Sequence, residues 1–363
     1  MAGLSTLAAA FMLSLRQAGP LLRNGLKGVR KIGVKSWRGA GLTGKRRVKM
    51  LQGDSLSLTE TWIEAAVNGP WGRKKQPLTP IAPEEIIAEG IECAEAGAGI
   101  IHVHAYDVES GQQHDDWQIY ARIIEGIRSK IDVIVYPTVP LAGSSYAGTN
   151  AEKRFAHIAE LAQRGLIEWT VLDPGSVNFA RFDEIGSLSG TFIYQNPPAD
   201  LQEGIRIARQ YGLHPSYAIY EPGFARLGAA LSQVGSPLPT PVYRFMFSTE
   251  FAWGFPPKSI YLECYLHLLS ELALASPWMV GALGVDIRGL LSYAVSRGGH
   301  IRVGLEDAPW VATLTNRVWV EEAVRLLRQC GGEPAAAKAI RAAIGGITVE
   351  ACCNVLPSQG RGD

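Results

Sequence analysis

The stretch Gly99-Ile-Ile-His-Val-His-Ala-Tyr-Asp107 predicts a buried β-strand that ends in two histidines. Because side chains alternate between the two faces of a strand, His102 and His104 point the same way, about 7 Å apart along the backbone. Neutral imidazoles held side by side at a strand end can bind zinc or another borderline divalent ion. The alternative is a pair of hydrogen-bonded histidines at a sheet edge. A third ligand would favour the metal, and the best candidate is Glu306.

Around this stretch, short β-branched or aromatic segments alternate with helical patterns from Trp62 onward, which is typical of βα units around a parallel sheet. Nine segments qualify as strands. Eight of them are Trp62–Gly69, Gly99–Asp107, Asp132–Val139, Glu168–Gly175, Pro215–Pro222, Tyr243–Ser248, Trp278–Gly284 and His300–Asp307. The ninth, Thr191–Asn196, is expected to be an excursion after strand four, because eight βα units closing on each other are the common solution at this length.

The fold prediction is therefore α/β, a single (β/α)8 TIM barrel over residues 54–347, and an open doubly wound sheet is the alternative. Helices are expected after each strand, and two more close the chain. Their predicted positions include 83–96, 117–130, 151–164, 199–211, 261–272, 288–296, 318–327 and 335–343. No G-x-G-x-x-G follows the first strand, so nothing points to a dinucleotide.

The near-neutral net charge of +1 conceals a basic leader. Residues 1–53 carry eleven Lys or Arg and no Asp or Glu, which leaves −10 on the remainder. This pattern is compatible with an organelle presequence or with a basic arm, but we favour a leader that is disordered or not translated, with Met50 as the true start. Residues 348–363 show no clear period and are expected to form a loose tail.

The five cysteines are scattered without a Cys-x-x-Cys pair, which favours a reducing compartment and predicts a cytoplasmic protein. No apolar run approaches the ~20 residues of a membrane span, and we expect neither a membrane nor a nucleic-acid partner. The composition, 47% hydrophobic and 19% charged, is that of an ordinary globular protein.

In a TIM barrel the functional residues lie at the carboxyl ends of the strands. The residues that fall there are Asn68, His102, His104, Thr138, Asp173, Ser176, Glu221, Ser248, Glu306 and Asp307. By the period of two, Arg302 and Glu306 share one face of strand eight, and Asp307 leaves at its end. A His-His-Glu set would hold a metal with an open position for substrate, where the ion polarises a carbonyl and stabilises an enolate.

The neighbouring polar groups have candidate roles in the same chemistry. Arg302 would bind a substrate carboxylate through two hydrogen bonds or restrain the adjacent acid, and Asp307 or Glu221 could transfer protons. The alternative for this group is a structural Arg–Glu–Asp salt-bridge cluster that plugs the barrel end.

Several motifs resemble the β-keto acid cleavage enzyme family over residues 62–344. They are Asn68-Gly69, Thr79-Pro-Ile-Ala-Pro-Glu-Glu85, Ala94-Glu-Ala-Gly-Ala-Gly-Ile-Ile-His-Val-His104, Asp173-Pro-Gly-Ser-Val-Asn-Phe179, Tyr194-Gln-Asn-Pro-Pro-Ala-Asp200, Tyr220-Glu-Pro-Gly223 and Gly298-Gly-His-Ile-Arg-Val-Gly-Leu-Glu-Asp307. The resemblance implies an α/β barrel that exchanges an acyl group between a β-keto acid and acetyl-CoA, giving acetoacetate and a new acyl-CoA. It also implies a divalent metal, usually zinc, and a homo-oligomer, either a tetramer or a dimer.

Carried onto this chain, the resemblance implies particular site residues. The metal ligands would be His102, His104 and Glu306, and the catalytic polar groups Arg302, Asp307 and Glu221. The substrate-binding residues would be Asn68, Thr138, Ser176 and Asn178.

The chain departs from the family pattern around the rim of the expected site. Tyr106 and Val285 stand where arginine is usual, Asp173 replaces a frequent Asn, and residues 248–257 replace a Gly-rich loop. With acids at Asp173 and Asp286 and fewer arginines, we expect the keto acid to carry a neutral or cationic distal group.

Three other functions fit parts of the pattern. A metal-dependent aldolase or lyase without CoA needs the same enolate stabilisation, and a barrel that keeps the metal but only binds a ligand would fit the altered rim. An amidohydrolase-type hydrolase would need further histidines at later strand ends, and His214 and His300 fall near strand starts instead.

Overall fold

The computed structural model describes residues 60–140, 150–188, 190–272 and 275–346 of the chain. The predicted TIM barrel is confirmed, because eight parallel strands form one sheet that curves back toward its first strand. The barrel strands are β1 (Ile63–Ala66), β2 (Ile100–Val103), β3 (Ile134–Pro137), β4 (Trp169–Val171), β5 (His214–Ile219), β6 (Val242–Phe247), β7 (Trp278–Ala282) and β8 (His300–Val303).

Strand pairing follows the sequence order around the ring. Hydrogen-bonded neighbours run from β3 through β2 and β1 to β8, and then from β7 to β4. The register sets Arg302 of β8 beside Glu64 of β1, and His102 of β2 beside Tyr136 of β3. Between β3 and β4 the rings of Tyr136 and Trp169 lie 5.9 Å apart, so side chains close the barrel at this seam.

The strands bury almost every side chain, as expected for a parallel sheet covered by helices. The helices that surround it are α1 (Gly72–Lys75), α2 (Pro83–Ala96), α3 (Trp117–Arg128), α4 (Ala151–Arg154), α5 (Ala156–Gln163), α6 (Pro198–Tyr211), α7 (Pro222–Gln233), α8 (Ser259–Glu271), α9 (Arg288–Ser296), α10 (Asn316–Gln329) and α11 (Ala337–Gly345). Helix α2 begins at Pro83, and the Glu85 carboxylate accepts the free backbone N–H groups of Ile81 and Ala82.

Two local predictions were wrong. The single helix expected over residues 151–164 is broken at Phe155, where Arg154 turns inward to pair with Asp200 at 2.6 Å and Phe155 packs into the core. Strand eight was expected to continue to Asp307, but β8 ends at Val303, because Gly304 adopts a φ of +139° and begins a turn.

The segment predicted as an excursion after strand four lies outside the barrel sheet, as expected. Phe192–Tyr194 pairs antiparallel with Val177–Phe179 to form a two-stranded ribbon. A second ribbon joins Tyr106–Asp107 to Gln112–Gln113 directly after β2. A short parallel pair, Glu60–Thr61 with Glu333–Pro334, lies near the amino ends of the barrel strands.

The basic leader and the C-terminal tail lie outside the described residues, so those two predictions stay predictions. Among the described helices, none is long and apolar enough to cross a membrane. The three cysteines in the described part of the chain, Cys93, Cys264 and Cys330, are free thiols.

Candidate active site

The two histidines and Glu306 converge at the carboxyl end of the barrel. Nε2 of His102 lies 3.6 Å from one Glu306 oxygen, and Nε2 of His104 lies 3.5 Å from the other. Each of the three residues offers one ligand atom to a shared position, and these three atoms lie within 4.8 Å of one another. Ligands of one tetrahedral ion with bonds of about 2.1 Å are roughly 3.4 Å apart, so this spacing fits a shared metal.

The hydrogen-bond inventory of the same residues supports that fit. Nδ1 of His102, Nε2 of His104 and Oε2 of Glu306 are buried and have no hydrogen-bond partner among the described residues. Buried polar atoms without partners are rare in native proteins and call for a missing ligand or ion. The donor set therefore fits a divalent metal better than a pair of structural histidines.

Two glycines make room for Glu306. At Gly304, whose φ is +139°, a Cβ would lie 2.2 Å from the carbonyl oxygen of Ala66, so only glycine fits at this turn. Gly69, with a φ of +78°, faces Glu306 directly, and a Cβ on it would lie 2.5 Å from Glu306 Cγ. The alternation predicted for strand eight is therefore wrong in detail, since a turn and not a continued strand delivers Glu306 to the histidines.

A relay of side-chain hydrogen bonds from His104 through Gln113 to Asp115 determines which ring nitrogen of His104 carries the proton. Nδ1 of His104 lies 3.0 Å from Oε1 of Gln113, and the Gln113 amide nitrogen donates to both oxygens of Asp115 at 2.9 and 3.0 Å. A carboxylate only accepts, so the Gln113 oxygen must face His104, whose Nδ1 then carries the proton. Nε2 is left with a free lone pair, as a metal ligand requires.

Arg302 is the centre of the neighbouring charge cluster. Its guanidinium donates to both oxygens of Asp307 at 2.9 Å and to Glu64 at 2.7 Å, and it lies 3.0 Å from Glu306. The fork geometry of arginine matches a carboxylate bound through two parallel hydrogen bonds. Arg302 thereby fixes Asp307 beside the candidate metal ligands.

Burial and Arg302 have opposite effects on the pKa values of Glu306 and Asp307. Burial acts to raise the pKa of Glu306, but its charged and hydrogen-bonding neighbours, Arg302 first among them, together hold that pKa well below its usual range. Burial raises the pKa of Asp307 to about 6 despite its bonds to Arg302. Burial also lowers the pKa of His102 well below its usual value, which keeps the ring neutral and able to bind a metal.

The sequence reasoning missed two buried charges, Glu64 on β1 and Arg244 on β6. Glu64 accepts hydrogen bonds from Arg302 and from the Tyr136 hydroxyl at 2.8 Å. Arg244 lies 3.8 Å from Glu64 and 4.0 Å from Asp173. The available signal was a single charged residue inside each of two otherwise apolar strands, Ile-Glu-Ala-Ala and Val-Tyr-Arg-Phe-Met-Phe.

A cavity of about 50 Å³ lies over this cluster and connects it to the opposite wall. Of the predicted site residues, its lining includes His102, His104, Thr138, Arg302, Glu306 and Asp307. The lining further includes Asp173, Arg244 and an aromatic wall built by Phe179, Phe192, Tyr194 and Tyr220.

Four of the predicted site residues lie elsewhere. The Asn68 amide is fully buried and clamps the His104 backbone, accepting its N–H at 2.8 Å and donating to its carbonyl oxygen at 2.8 Å. Glu221 accepts the Gly254 N–H, whereas Ser176 and Asn178 are exposed. None of these four lines the cavity. Asn68 and Glu221 do follow the ends of β1 and β5, but backbone groups bond both polar atoms of Asn68 and one oxygen of Glu221.

The altered rim has a structural explanation. Tyr106 donates its hydroxyl to the Gly69 carbonyl and stands outside the cavity lining. Ser248 opens the loop that brings Phe251 and Trp253 into a buried aromatic cluster behind the cavity wall. Asp286 pairs with Arg288 at 2.6 Å on the outer side of the loop after β7, and it also lies outside the lining.

The barrel and its site define this chain as a TIM-barrel enzyme with a candidate divalent-metal centre. The family model described as beta-keto acid cleavage enzyme matches residues 60–345, and the chain belongs to this family. The family predicted from the sequence motifs is therefore confirmed.

Curated relatives agree with this assignment. The chain is 28% identical over 297 residues to 3-dehydrocarnitine:acetyl-CoA trimethylamine transferase of Rhizobium meliloti, covering 76% of this chain and 92% of the relative. It is 28% identical over 248 residues to 3-oxoadipate:acetyl-CoA acetyltransferase of Cupriavidus necator, covering 68% and 79%. Among solved structures, the apo structure of ObcA matches with a TM-score of 0.57 at 17% identity, over 74% of this chain and 66% of that chain, which shows the fold alone. These comparisons give no support to the lyase or ligand-binding alternatives.

Proposed function

We propose that this enzyme exchanges an acyl group between a β-keto acid and acetyl-CoA. The bond between the keto carbon and the adjacent methylene of the acid breaks, as does the thioester of acetyl-CoA. The methylene fragment takes the acetyl group to form acetoacetate, and CoA takes the acyl group to form a new acyl-CoA. The family match and the acetyl-CoA in both relatives' names support this reaction.

One observation carries the proposal beyond the family match. Ligand atoms of His102, His104 and Glu306 converge beside the Arg302–Asp307 pair, those of His104 and Glu306 include atoms without hydrogen-bond partners, and all five residues line the same cavity. The three ligands would hold a divalent metal, and the two imidazoles suit zinc. A metal held there supplies a Lewis acid that polarises a carbonyl oxygen and stabilises an enolate.

The remaining groups would position substrate and move protons. Asp307, held by both prongs of Arg302, is the group that would remove a proton from the carbon between the two carbonyl groups of the keto acid. Glu64 holds the third nitrogen of the guanidinium, so Arg302 cannot rotate away from Asp307. Thr138 would contact the substrate, since it lines the cavity between β3 and the histidines.

A mass-spectrometric assay tests the reaction. The full chain would receive acetyl-CoA and a mixture of β-keto acids, in parallel with Glu306→Gln and with the surface variant Glu321→Gln. We expect acetoacetate and one new acyl-CoA from the wild type and from Glu321→Gln, and neither product from Glu306→Gln. A folded, metal-loaded wild type that forms no acyl-CoA would contradict the proposal. Elemental analysis of the same samples would identify the metal, for which we propose zinc.

The oligomeric state and the cellular location of the protein are also proposals. We propose a homo-oligomer, a tetramer or a dimer, and light scattering coupled to size-exclusion chromatography would give its mass. A cytoplasmic location is proposed from the scattered cysteines, and fractionation of the source cells would test it.

A further inference from the structure

Two buried arginines face the cavity, and they differ in how their hydrogen bonds are used. The Arg302 guanidinium donates hydrogen bonds to Asp307 and Glu64 and contacts Glu306. Arg244 is equally buried, yet its guanidinium makes no hydrogen bond to any described residue. Its nearest carboxylates, Glu64 and Asp173, lie 3.8 and 4.0 Å away, beyond hydrogen-bond distance.

A buried guanidinium without hydrogen-bond acceptors destabilises the protein unless a ligand supplies them. Desolvating a guanidinium without hydrogen bonds is unfavourable, and buried charges in native proteins are paired or bound to a ligand. Asp173 does not supply the missing acceptor, because its Oδ1, which accepts the Ala218 N–H at 2.6 Å, lies 4.0 Å from Arg244, and its other oxygen accepts the Tyr194 hydroxyl at 2.7 Å. The free N–H groups of Arg244 therefore remain available to a group that enters the cavity.

The position of Arg244 indicates which part of a substrate would reach it. In the ring of eight strands β6 lies opposite β2, so Arg244 faces the two histidines across the barrel. Both sides line the same cavity. A keto acid whose carbonyl lies at His102, His104 and Glu306 would point its distal end toward Arg244.

We propose that Arg244 is a specificity-determining residue that binds a second carboxylate at the distal end of the β-keto acid. This inference rests on the proposed function and names its substrate class, a β-keto dicarboxylic acid. A planar guanidinium with free donors binds a carboxylate through two parallel hydrogen bonds. The proposal replaces the expectation of a neutral or cationic distal group. That expectation relied on Asp286, which lies outside the cavity lining, and on Asp173, whose negative charge lies 4.0 Å from the positive charge of Arg244.

A set of three matched acids tests the assignment. 3-Oxo acids with a six-carbon chain that ends in a carboxylate (3-oxoadipate), a neutral amide (its 6-monoamide) or a quaternary ammonium group that cannot cyclise onto the ketone (6-trimethylammonio-3-oxohexanoate) differ only at the distal group. With acetyl-CoA, we expect the wild type to show a kcat/KM for the carboxylate about 30-fold or more above that for the amide. Arg244→Gln should lose this preference mainly through KM for 3-oxoadipate, Arg244→Lys should keep part of it, and the surface variant Arg288→Gln should keep all of it.

A binding measurement separates this proposal from the reaction itself. Titration calorimetry with adipate and with hexanoate needs no turnover, and we expect adipate to bind at least about 10-fold more tightly to the wild type but not to Arg244→Gln. Adipate preference without turnover of any acid would leave Arg244 assigned and overturn the acyl transfer. Turnover that favours the amide or the ammonium acid in the wild type, or equal losses on all three acids in Arg244→Gln, would overturn the Arg244 assignment and leave the reaction standing. The wild-type comparison holds even if a variant fails to fold.

Discussion

The two ends of the barrel differ in how completely their polar side chains are hydrogen-bonded. At the amino end, the Trp62 ring stacks on His300 at 4.1 Å, and Nδ1 of His300 accepts the Trp62 N–H at 3.1 Å. Trp169 packs against the same tryptophan at 6.0 Å. At the carboxyl end, charged side chains fill the interior, and His104, Arg244 and Glu306 keep atoms without partners.

This difference separates stability from function within one fold. A buried polar group that is fully hydrogen-bonded adds to a packed core, whereas a cluster of unsatisfied ones destabilises the free protein until a ligand arrives. The carboxyl end of a TIM barrel is also where its active sites lie. We therefore expect changes at the carboxyl end to remove activity, and changes at the amino end to alter stability.

The largest effect is expected at Arg302. Arg302→Lys keeps the positive charge but cannot bind Asp307 through two parallel bonds while also reaching Glu64. We expect kcat to fall by about 10²–10³-fold, because Asp307 loses its fixed position. Steady-state kinetics would measure this, with Arg297→Lys on the surface as the matched control. A loss of less than about tenfold would mean that charge alone, without the fork, holds the site.

The next effect concerns the relay behind His104. Gln113→Leu removes the acceptor for the His104 Nδ1 proton, so the ring can adopt the tautomer that turns an N–H toward Glu306. We expect the metal affinity to fall by about 10–100-fold, which competition with a chromogenic chelator would measure without any assay of activity. Gln112→Leu, an exposed position on the same ribbon, is the control. Equal metal affinity in both variants would show that the relay does not determine the tautomer.

At the amino end, the expected effect is on stability alone. Burial lowers the pKa of His300 from 6.5 to about 3. The unfolded state therefore binds more protons between pH 6.5 and 3, and the stability that neutral His300 provides above pH 6.5 is lost as the pH falls through this window. At pH 5 this amounts to about 2 kcal/mol relative to pH 8.

His300→Asn tests this, because asparagine can accept the Trp62 N–H but cannot become charged. Urea unfolding at pH 8 and pH 5 should show a pH-dependent loss of free energy about 2 kcal/mol smaller in the variant than in the wild type, with kcat at pH 8 unchanged. The same pH dependence in both proteins would place the acid-sensitive group elsewhere, and a changed kcat would break the division between the two ends.

The fold was predictable because its signals are local and repeated. All eight barrel strands were predicted as alternating βα units, and the off-barrel ribbon was recognised because eight units already close a barrel. The helix break at Phe155 was not predictable, since it depends on Arg154 reaching Asp200, which lies 46 residues further along the chain. The turn at Gly304 resembled a continued strand because its need for glycine arises from the neighbouring Ala66 backbone.

The candidate site was predictable only in part, because some of its contacts also join residues that are distant in the sequence. His102, His104 and Glu306 could be grouped because strand ends meet at one face of a barrel. Asn68 occupies such a strand end too, but its amide is taken up by the His104 backbone, which only the three-dimensional structure reveals. Glu64 and Arg244 were missed because a single charge in an apolar strand was treated as part of the strand and not as a buried ion that needs a partner.

The smallest expected effect marks the boundary of the active end. Asp286 was selected from the sequence as part of the substrate rim, yet it pairs with Arg288 at the surface and stands outside the cavity lining. We expect Asp286→Asn to change the relative kcat/KM values for the three matched keto acids by less than about twofold, because an exposed ion pair contributes little. Asp173→Asn, inside the cavity and 4.0 Å from Arg244, should shift the same ratios clearly. If Asp286→Asn shifts them as strongly, charge at the outer rim selects the substrate, and the functional end of the barrel extends beyond the cavity.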